Sequence, residues 1–330
     1  MKKPIFFMGL LFAILLCSCG KEGSPTSITT PTTETPTTTV VTTPSLTTEA
    51  PTTETPTTTI PKEDDKVDVI FLAGQSNAEG HTHISELRKR ILPAKFDYYS
   101  REMTTNIKFY CDNGKNKSNG FTNVHLGQGV NSSRFGPEIG MAEAFEEAEL
   151  KRNVIIIKYC LGATSIYSDW RSFSSGNSGK LFDDFLEFGD EAIQEIEEQG
   201  LKVNIRGLCW MQGEADSTED RMTNLYQTYE KNLFDDIYTY FSDKIDDEFH
   251  IVDAYISDCT TWKNYEAINA AKEANAEENP NHHTIDTISE GLAYNQEPTG
   301  AVDAFHYDST SMILLGKLFG QKIIEVALKD

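Results

Sequence analysis

A segment made almost entirely of Thr and Pro constrains the fold of this 330-residue chain more than any other feature. It runs from Ser24 to Pro61, and the nine residues from Pro31 to Thr39 recur unchanged from Pro51 to Thr59. Such a segment lacks the apolar side chains that would offset the entropy of ordering, so we expect an extended or polyproline-like linker. The packed core must come from elsewhere in the chain. We therefore predict a disordered linker at residues 20–66 and one globular domain at residues 67–330.

Residues 1–19 are predicted to be a secretory signal peptide. Lys2 and Lys3 precede an apolar run from Ile5 to Leu16, which at ~12 residues is shorter than the ~20 that a transmembrane helix needs. The small Ser18 stands before Cys19, and this site resembles the lipobox at which bacterial lipoproteins are cleaved and acylated. We expect export and a lipid anchor on Cys19, at the outer face of a bacterial cell membrane. An ordinary secreted protein with incidental cysteines is the alternative.

The charge balance excludes two classes of partner. Asp and Glu number 51 against 29 Lys and Arg, which gives a net charge of −22. A surface this acidic repels nucleic acid and anionic lipid, so we expect membrane association through the lipid anchor only. A neutral polysaccharide or oligosaccharide is not repelled, and 18 Phe and 13 Tyr are enough for a sizeable core.

Apolar runs and amphipathic stretches alternate along the globular part. The apolar runs are typical of buried strands, and they are Val67–Ala73, Asn106–Cys111, Val154–Cys160, Ile205–Met211 and Phe249–Ile256. The amphipathic stretches are typical of helices, and they are Pro137–Leu150, Phe182–Ile196, Met222–Tyr240 and Met312–Val326. This alternation predicts an α/β fold with a parallel sheet covered on both faces. In such sheets, sites form beyond the carboxyl ends of the strands.

Four cysteines follow the linker, and in an exported domain they could pair in any of three ways. Cys160 and Cys209 lie in predicted central strands, where a free thiol acts as a small apolar side chain. We predict buried thiols at these two positions. The state of Cys111 and Cys259 stays open.

The first predicted strand runs into the turn Gly74 to Gly80, which carries a serine. On a tight turn between strand and helix, Ser76 would present its hydroxyl and its backbone N–H at the edge of the sheet. This makes it a candidate nucleophile, with Gln75 and Asn77 as candidate substrate-binding residues beside it. The alternative is a helix cap, since Glu79 three residues later would complete a capping box.

Two further strand ends carry candidate groups. Gly162 follows the third strand and could donate its backbone N–H to a developing oxyanion, or be an ordinary loop glycine. The fourth strand ends in a run with an amide at Gln212 and carboxylates at Glu214 and Asp216. Polar side chains at the end of an apolar strand indicate a site, although Asp216 could simply cap a loop.

A carboxylate and an imidazole lie three residues apart before the last predicted helix. Asp303 can hold the Nδ1–H of His306, leaving Nε2 free to take a proton from serine. A lone histidine is more often structural, but the acidic partner favours a catalytic role. Glu214, at the end of another strand, is the alternative carboxylate for orienting His306.

Together these segments resemble the successive blocks of the SGNH (GDSL-type) hydrolases, in the branch that contains acetyl-xylan esterases and sialate O-acetylesterases. The matching residues are Gly74-Gln75-Ser76-Asn77, Phe135-Gly136-Pro137-Glu138, Gly162, Trp210-x-Gln212-Gly213-Glu214-x-Asp216 and Asp303-x-x-His306. The resemblance covers about residues 68–329. It implies a three-layer α/β/α sandwich with a parallel, flavodoxin-like sheet.

The resemblance also implies roles for the residues. Ser76 would be the nucleophile, His306 the general base, and Asp303 the residue that orients it. The backbone N–H groups of Ser76 and Gly162, with the side chain of Gln212, would form the oxyanion hole. The implied reaction is removal of O-acetyl groups from carbohydrate without a cofactor. Acetylated xylan is the favoured substrate, because the linker suits a polymer too large to enter a cell. A sialate O-acetylesterase, or a binding protein without turnover, is the alternative.

The roles of two kinds of side chain, tryptophan and histidine, are not settled by this assignment. Trp170 and Trp262 could stack on sugar rings or pack within loops. Histidines occur in two close pairs, which are His81 with His83 and His282 with His283. Neither pair has enough convergent ligands to indicate zinc, so we predict surface imidazoles and no metal site.

Overall fold

The computed structural model describes residues 65–246 and 248–329. The predicted signal peptide, the anchor Cys19 and nearly all of the predicted linker lie outside the described residues. Within the described ranges, no helix is both long and apolar enough to cross a membrane.

The described chain alternates between strands and helices as the sequence predicts. Its strands are β1 (Lys66–Gly74), β2 (Thr82–His83), β3 (Asn106–Cys111), β4 (Asn116–Lys117), β5 (Thr122–Asn123), β6 (Arg134–Phe135), β7 (Val154–Cys160), β8 (Lys202–Met211), β9 (His250–Ala254) and β10 (His282–Ile285). Its α-helices are α1 (Ser76–Glu79), α2 (Ile84–Arg90), α3 (Pro93–Arg101), α4 (Glu138–Glu147), α5 (Lys180–Glu198), α6 (Asp220–Tyr240), α7 (Tyr265–Glu278) and α8 (Ser309–Ile323).

The central sheet has the order β10-β9-β8-β1-β7-β3-β4, with β5 also paired to β3. Its strands are parallel except for the short β4 and β5, so the predicted α/β fold with a mostly parallel sheet flanked by helices is confirmed. Counted along the chain, the parallel strands have the order 2-3-1-4-5-6. The flavodoxin order is 2-1-3-4-5, so the first and third strands exchange places here. As a result β1 lies between β7 and β8, and the loops after these three strands are neighbours.

The core forms where the apolar runs are covered on both faces. Every residue of β1 from Val67 to Ala73 is buried. Phe71 of β1 contacts Phe185 of α5 and Phe241, with ring centroids 5.2 and 5.0 Å apart. Burying a large aromatic side chain contributes ~1.5–3 kcal/mol relative to leaving it exposed, so this strand stabilises the part of the sheet that carries the site.

Helix α7 is absent from the sequence prediction because its buried face is polar. It buries Asn269, Lys272 and Asn275, with Ile268 as the one large apolar residue among its buried positions. Lys272 is fully buried and pairs with Glu230 and Asp253. A search for an apolar stripe therefore misses this helix.

The four cysteines of the described chain are free and buried. The predicted thiols at Cys160 and Cys209 are confirmed. Cys111 and Cys259, whose state the sequence left open, are also unpaired thiols. Burial raises the pKa of Cys111 to about 12, so this thiol is protonated at neutral pH.

Candidate active site

The site is built where β1, β7 and β8 end side by side. Gly74 pairs in register with Cys160 of β7 and with Met211 of β8. Gly74 has a φ of 138°, and a Cβ there would lie 2.1 Å from the backbone oxygen of Met211. Only glycine fits this close approach. The chain then turns directly into α1, which places Ser76 at the edge of the sheet.

Ser76 is the first residue of α1 rather than its cap. The N-cap position is Gln75, and no side chain caps the helix. The Glu79 side chain bonds to other loops instead of returning to the helix start. The capping-box alternative is therefore wrong, and the Ser76 side chain lines a pocket of about 800 Å³.

His306 lines the same pocket and is held by Asp303. Its Nδ1 lies 2.6 Å from Oδ2 of Asp303, whose other oxygen accepts a hydrogen bond from the backbone N–H of Phe305 at 3.0 Å. Burial acts to raise the pKa of Asp303, but the hydrogen bond and the charge of His306 outweigh it and lower the pKa to about 2. Asp303 is thus an ionised carboxylate beside the imidazole at neutral pH.

Glu214, the alternative carboxylate, bonds to a different partner. Its Oε1 accepts a hydrogen bond from Nδ2 of Asn77 at 2.9 Å, and its Oε2 has no hydrogen-bond partner among the described residues. Burial raises the pKa of Glu214, and the bond from Asn77 opposes this only in part. The geometry therefore favours Asp303 over Glu214 as the group that orients His306.

Asn77 connects two loops of the site instead of facing substrate. It is 1% exposed, and its Oδ1 accepts a hydrogen bond from the backbone N–H of Tyr307 at 3.1 Å. Together with its bond to Glu214, this joins α1 to the segment that carries His306. The prediction that Asn77 binds substrate is wrong, because both ends of its amide are engaged within the protein.

The two predicted oxyanion donors other than Ser76 are engaged by internal acceptors. The backbone N–H of Gly162 donates to Oε2 of Glu79 at 2.8 Å. Nε2 of Gln212, which is fully buried, donates to Oδ2 of Asp216 at 2.7 Å and to the backbone oxygen of Thr164 at 3.0 Å. The oxyanion roles of Gly162 and Gln212 stay predictions, and each requires these bonds to exchange for a bond to the substrate.

The remaining candidates for substrate binding divide between the pocket and the core. Gln75 lines the pocket, but its Oε1 already accepts a hydrogen bond from the backbone N–H of Ala215 at 3.2 Å. Trp170 is fully buried, and its ring centroid lies 5.2 Å from that of Trp210 in an edge-to-face contact. Of the two alternatives that the sequence left open for Trp170, the structure therefore shows loop packing, since the ring holds the loop after β7 onto the core and does not reach a sugar.

One wall of the pocket is aromatic. Trp262 and Phe305 both line it, with ring centroids 5.6 Å apart, and Phe305 is 45% exposed. Phe305 precedes His306 in the chain, so this wall lies beside the imidazole. An exposed aromatic next to a polar site is typical of ligand pockets.

The pocket is acidic. Glu79, Asp112 and Asp169 line it, and no lysine or arginine does so among the residues that the structure describes. In addition, the same ranges contain no cluster of three or more side chains that could hold a metal ion.

A model of one protein family matches residues 66–325, which is most of the chain. It describes the carbohydrate esterase, sialic acid-specific acetylesterase family (SASA). The chain belongs to this family. It is therefore a carboxylic ester hydrolase that acts on acetylated carbohydrate. A search of curated protein sequences found no match.

Two solved structures resemble the esterase over most of their length. A protein from Arabidopsis thaliana is 16% identical, with a TM-score of 0.56, over 78% of this chain and 98% of its own. NanS is 15% identical, with a TM-score of 0.56, over 79% of this chain and 97% of its own. At this identity the likeness shows the fold.

The esterase also places His81 in its pocket, for which the sequence predicted only a surface imidazole. The ring of His81 stacks on that of His306, with centroids 4.4 Å apart and planes at 18°. Its Nε2 lies 3.0 Å from Oε2 of Glu79. The His81 side chain is 28% exposed and lines the pocket. The prediction of a surface imidazole is wrong for His282, which is 5% exposed and has its pKa lowered to about 4 by burial. The spacing of these residues along the chain does not predict the contacts of His81 with His306 and Glu79.

A buried lysine supports the loop of the esterase that carries Ser76. Nζ of Lys158, on β7, donates to the backbone oxygens of Glu79 and Gln128 at 2.9 and 2.8 Å and to Oε2 of Glu138 at 2.7 Å. Burial acts to lower the pKa of Lys158, but the Glu138 carboxylate outweighs it and raises the pKa. Glu138 also accepts a hydrogen bond from the backbone N–H of Gly136 at 2.8 Å, which gives the predicted Phe-Gly-Pro-Glu block a structural role behind α1.

Proposed function

We propose that this esterase removes O-acetyl groups from a neutral polysaccharide, most specifically acetylated xylan, by covalent serine catalysis. Ser76 is the nucleophile, His306 the general base and Asp303 the carboxylate that orients it. The observation that carries the proposal is the 2.6 Å contact of Asp303 with His306 on the pocket that Ser76 also lines.

The proposed reaction has two steps. In the first, Oγ of Ser76 attacks the acetyl carbonyl carbon while Nε2 of His306 takes its proton. His306 then returns the proton to the sugar oxygen as the ester bond breaks, which leaves acetyl-Ser76 and a free sugar hydroxyl. In the second step, Nε2 of His306 takes a proton from water while the water oxygen attacks the acetyl carbonyl carbon; the proton then passes to Oγ of Ser76 as its bond to the acetyl group breaks and acetate leaves. The backbone N–H groups of Ser76 and Gly162 would donate to the oxyanion.

The charge of the pocket supports a neutral sugar. A sialic acid carries a carboxylate, which proteins commonly bind through Arg in paired hydrogen bonds. The described lining instead contributes Glu79, Asp112 and Asp169 without Lys or Arg. A bound carboxylate there would meet like charges, whereas the rings of acetylated xylan carry none.

The aromatic wall supports a sugar on the leaving-group side. The sugar oxygen must lie within reach of His306 to receive the proton, and Trp262 and Phe305 flank that side. Flat apolar side chains suit the apolar faces of a sugar ring. The acetyl group would then point toward Gly162.

The second candidate function is sialate O-acetylesterase, which the family description favours by naming sialic acid. A binding protein without turnover is disfavoured, because it has no need for a serine on a tight turn together with an ionised Asp303 against His306.

We expect acetate release from acetylated xylan to exceed that from O-acetylated sialic acid by at least ~10-fold in kcat/KM. The physical reason is that leaving a buried charged group without its partner costs ~1–3 kcal/mol or more. The measurement uses the same preparation of the full chain on both substrates in parallel. A preference for the sialic acid would overturn the assignment to neutral sugars, and loss of the excess when the sialic acid is methyl-esterified would confirm that the carboxylate is the cause.

We also propose that the enzyme is exported and held on the outer face of a bacterial membrane through lipid on Cys19. The lipobox-like sequence and the Thr/Pro-rich linker support this location. A tether of that kind lets the catalytic domain reach a polymer outside the cell.

Replacing the anchor tests this location. Cys19→Ala is expected to move the protein from the membrane fraction to the soluble fraction with kcat/KM unchanged, because the linker has too few apolar side chains to pack on the domain. Cys17→Ala is the matched control and should stay with the membrane. Fatty-acid labelling that persists in Cys19→Ala and is lost in Cys17→Ala would show that the anchor is elsewhere.

A further inference from the structure

We propose that Glu79 is an internal competitor for the oxyanion hole, so that a substrate carbonyl oxygen must displace its carboxylate from Gly162 before Ser76 can react. The inference rests on the proposed function, in which the Gly162 N–H stabilises the oxyanion. Glu79 is then a positioning residue that sets the reactivity of Ser76. It takes no part in bond making itself.

The carboxylate occupies the space that the oxyanion needs. Oε2 of Glu79 accepts the Gly162 N–H at 2.8 Å. A Cβ built on Gly162 would lie 2.9 Å from that oxygen and 3.3 Å from Cβ of Ser76. The Glu79 carboxylate and the Ser76 side chain therefore flank the same glycine, on the pocket that both line.

Glu79 and an oxyanion cannot share this donor. Both are negatively charged acceptors, and Gly162 has one N–H. Removing one donor from an oxyanion hole lowers kcat by ~10²–10³. While the Gly162 N–H donates to Glu79, it cannot stabilise the oxyanion. Substrate binding must then supply the free energy that frees this N–H from the carboxylate.

The surroundings of Glu79 make its displacement feasible. The side chain is 1% exposed, so a carboxylate that lost all partners would be strongly destabilised. However, Oε1 of Glu79 also accepts the backbone N–H of Asp112 at 2.6 Å, and Oε2 lies 3.0 Å from Nε2 of His81. Glu79 can release Gly162 and keep both of these contacts. Because His81 stacks on His306, the released carboxylate stays next to the general base.

Replacing Glu79 tests the proposal through three readouts on the full chain. They are kcat/KM for 4-nitrophenyl acetate, the rate at which a neutral phosphonate ester labels Ser76, and the NMR shift of the Gly162 amide proton. We expect Glu79→Ala to raise kcat/KM and the labelling rate by ~10-fold or more, since it frees a donor to the oxyanion. The Gly162 proton should move upfield as its bond to a carboxylate is lost.

Glu79→Gln should give a smaller rise, because a neutral amide oxygen still accepts from Gly162 but binds more weakly than a carboxylate. Glu102→Ala, at an exposed position after α3, is the matched control and should change none of the readouts. Circular dichroism checks that each variant folds. If Glu79→Ala does not fold, the rise in Glu79→Gln decides the question.

The outcomes separate this proposal from the proposed function. A wild-type chain that neither hydrolyses acetyl esters nor labels at Ser76 contradicts the serine mechanism, and the Gly162 shift then still reports whether Glu79 holds the amide. A wild-type chain that labels at Ser76, with variants that are equal or slower, overturns the role of Glu79 alone. A Gly162 shift that Glu79→Ala leaves unchanged also overturns it.

Discussion

Ser76→Ala is expected to leave the fold intact and to lower kcat/KM for acetyl esters by ~10⁴-fold or more, because the covalent step then has no nucleophile. The hydroxyl lines the pocket instead of filling the core, and the change adds no volume. Stability should therefore change little. The measurement is kcat/KM on one acetyl ester, with circular dichroism to confirm the fold.

Ser168→Ala is the matched control for that experiment. Ser168 lines the same pocket, but its hydroxyl is engaged by hydrogen bonds with the side chains of Ser165 and Asp169 at 2.8 and 2.9 Å. We expect Ser168→Ala to lower kcat/KM by less than ~10-fold, as the loss of one binding contact would. A folded Ser76→Ala protein that keeps more than about a tenth of wild-type activity would show that the nucleophile is a different group. Phosphonate labelling should disappear in Ser76→Ala and persist in Ser168→Ala.

The second large effect is expected at Asp303. The 2.6 Å contact with Nδ1 of His306 fixes the tautomer in which Nε2 can take a proton. Because the Asp303 pKa is lowered to about 2, the carboxylate is ionised at neutral pH and stabilises the imidazolium that forms during the reaction. An amide at this position donates where a carboxylate accepts, and so favours the wrong tautomer. Asp303→Asn should therefore lower kcat by up to ~10⁴.

Glu214→Gln is the isosteric comparison for Asp303→Asn. Glu214 accepts a hydrogen bond from Asn77 and supports the loop of His306 through it. Glu214→Gln should lower kcat clearly less than Asp303→Asn does, since the amide oxygen of the new side chain can still accept the hydrogen bond from Asn77. Both variants are measured on the same acetyl ester. A larger loss for Glu214→Gln than for Asp303→Asn would transfer the orienting role to Glu214.

The structure describes a site in which two of the three proposed oxyanion donors are engaged before substrate binds. Gly162 is held by Glu79, and the amide of Gln212 is held by Asp216 and Thr164. Burial raises the pKa of Asp216 to about 6, against three hydrogen bonds that lower it. Internal acceptors keep the partly buried Gly162 and the buried Gln212 paired in the absence of substrate, as polar groups shielded from water require.

Local sequence determined the elements of the fold and the parts of the site that depend on short spacing. The runs Asn106–Cys111 and Val154–Cys160 match β3 and β7 in full, because strands buried on both faces are rich in apolar residues. The contact between Asp303 and His306 spans three residues, so a single turn of chain is enough to make it. The turn at Ser76 was likewise predictable from a strand that ends in glycine.

Tertiary structure alone decided which side chains face the pocket. The sequence predicted the same two alternatives, sugar stacking or loop packing, for Trp170 and Trp262. In the structure, Trp170 is buried against Trp210, whereas Trp262 lines the pocket. Glu79 reaches Gly162, 83 residues away, only because β1 lies beside β7. The direction of a loop side chain depends on partners that strand order brings together. A single sequence gives the spacing of residues along the chain, and this was enough to predict the candidate triad. It does not give the order of strands across the sheet, so only the structure showed that Gly162 and Gln212 are hydrogen-bonded to internal acceptors.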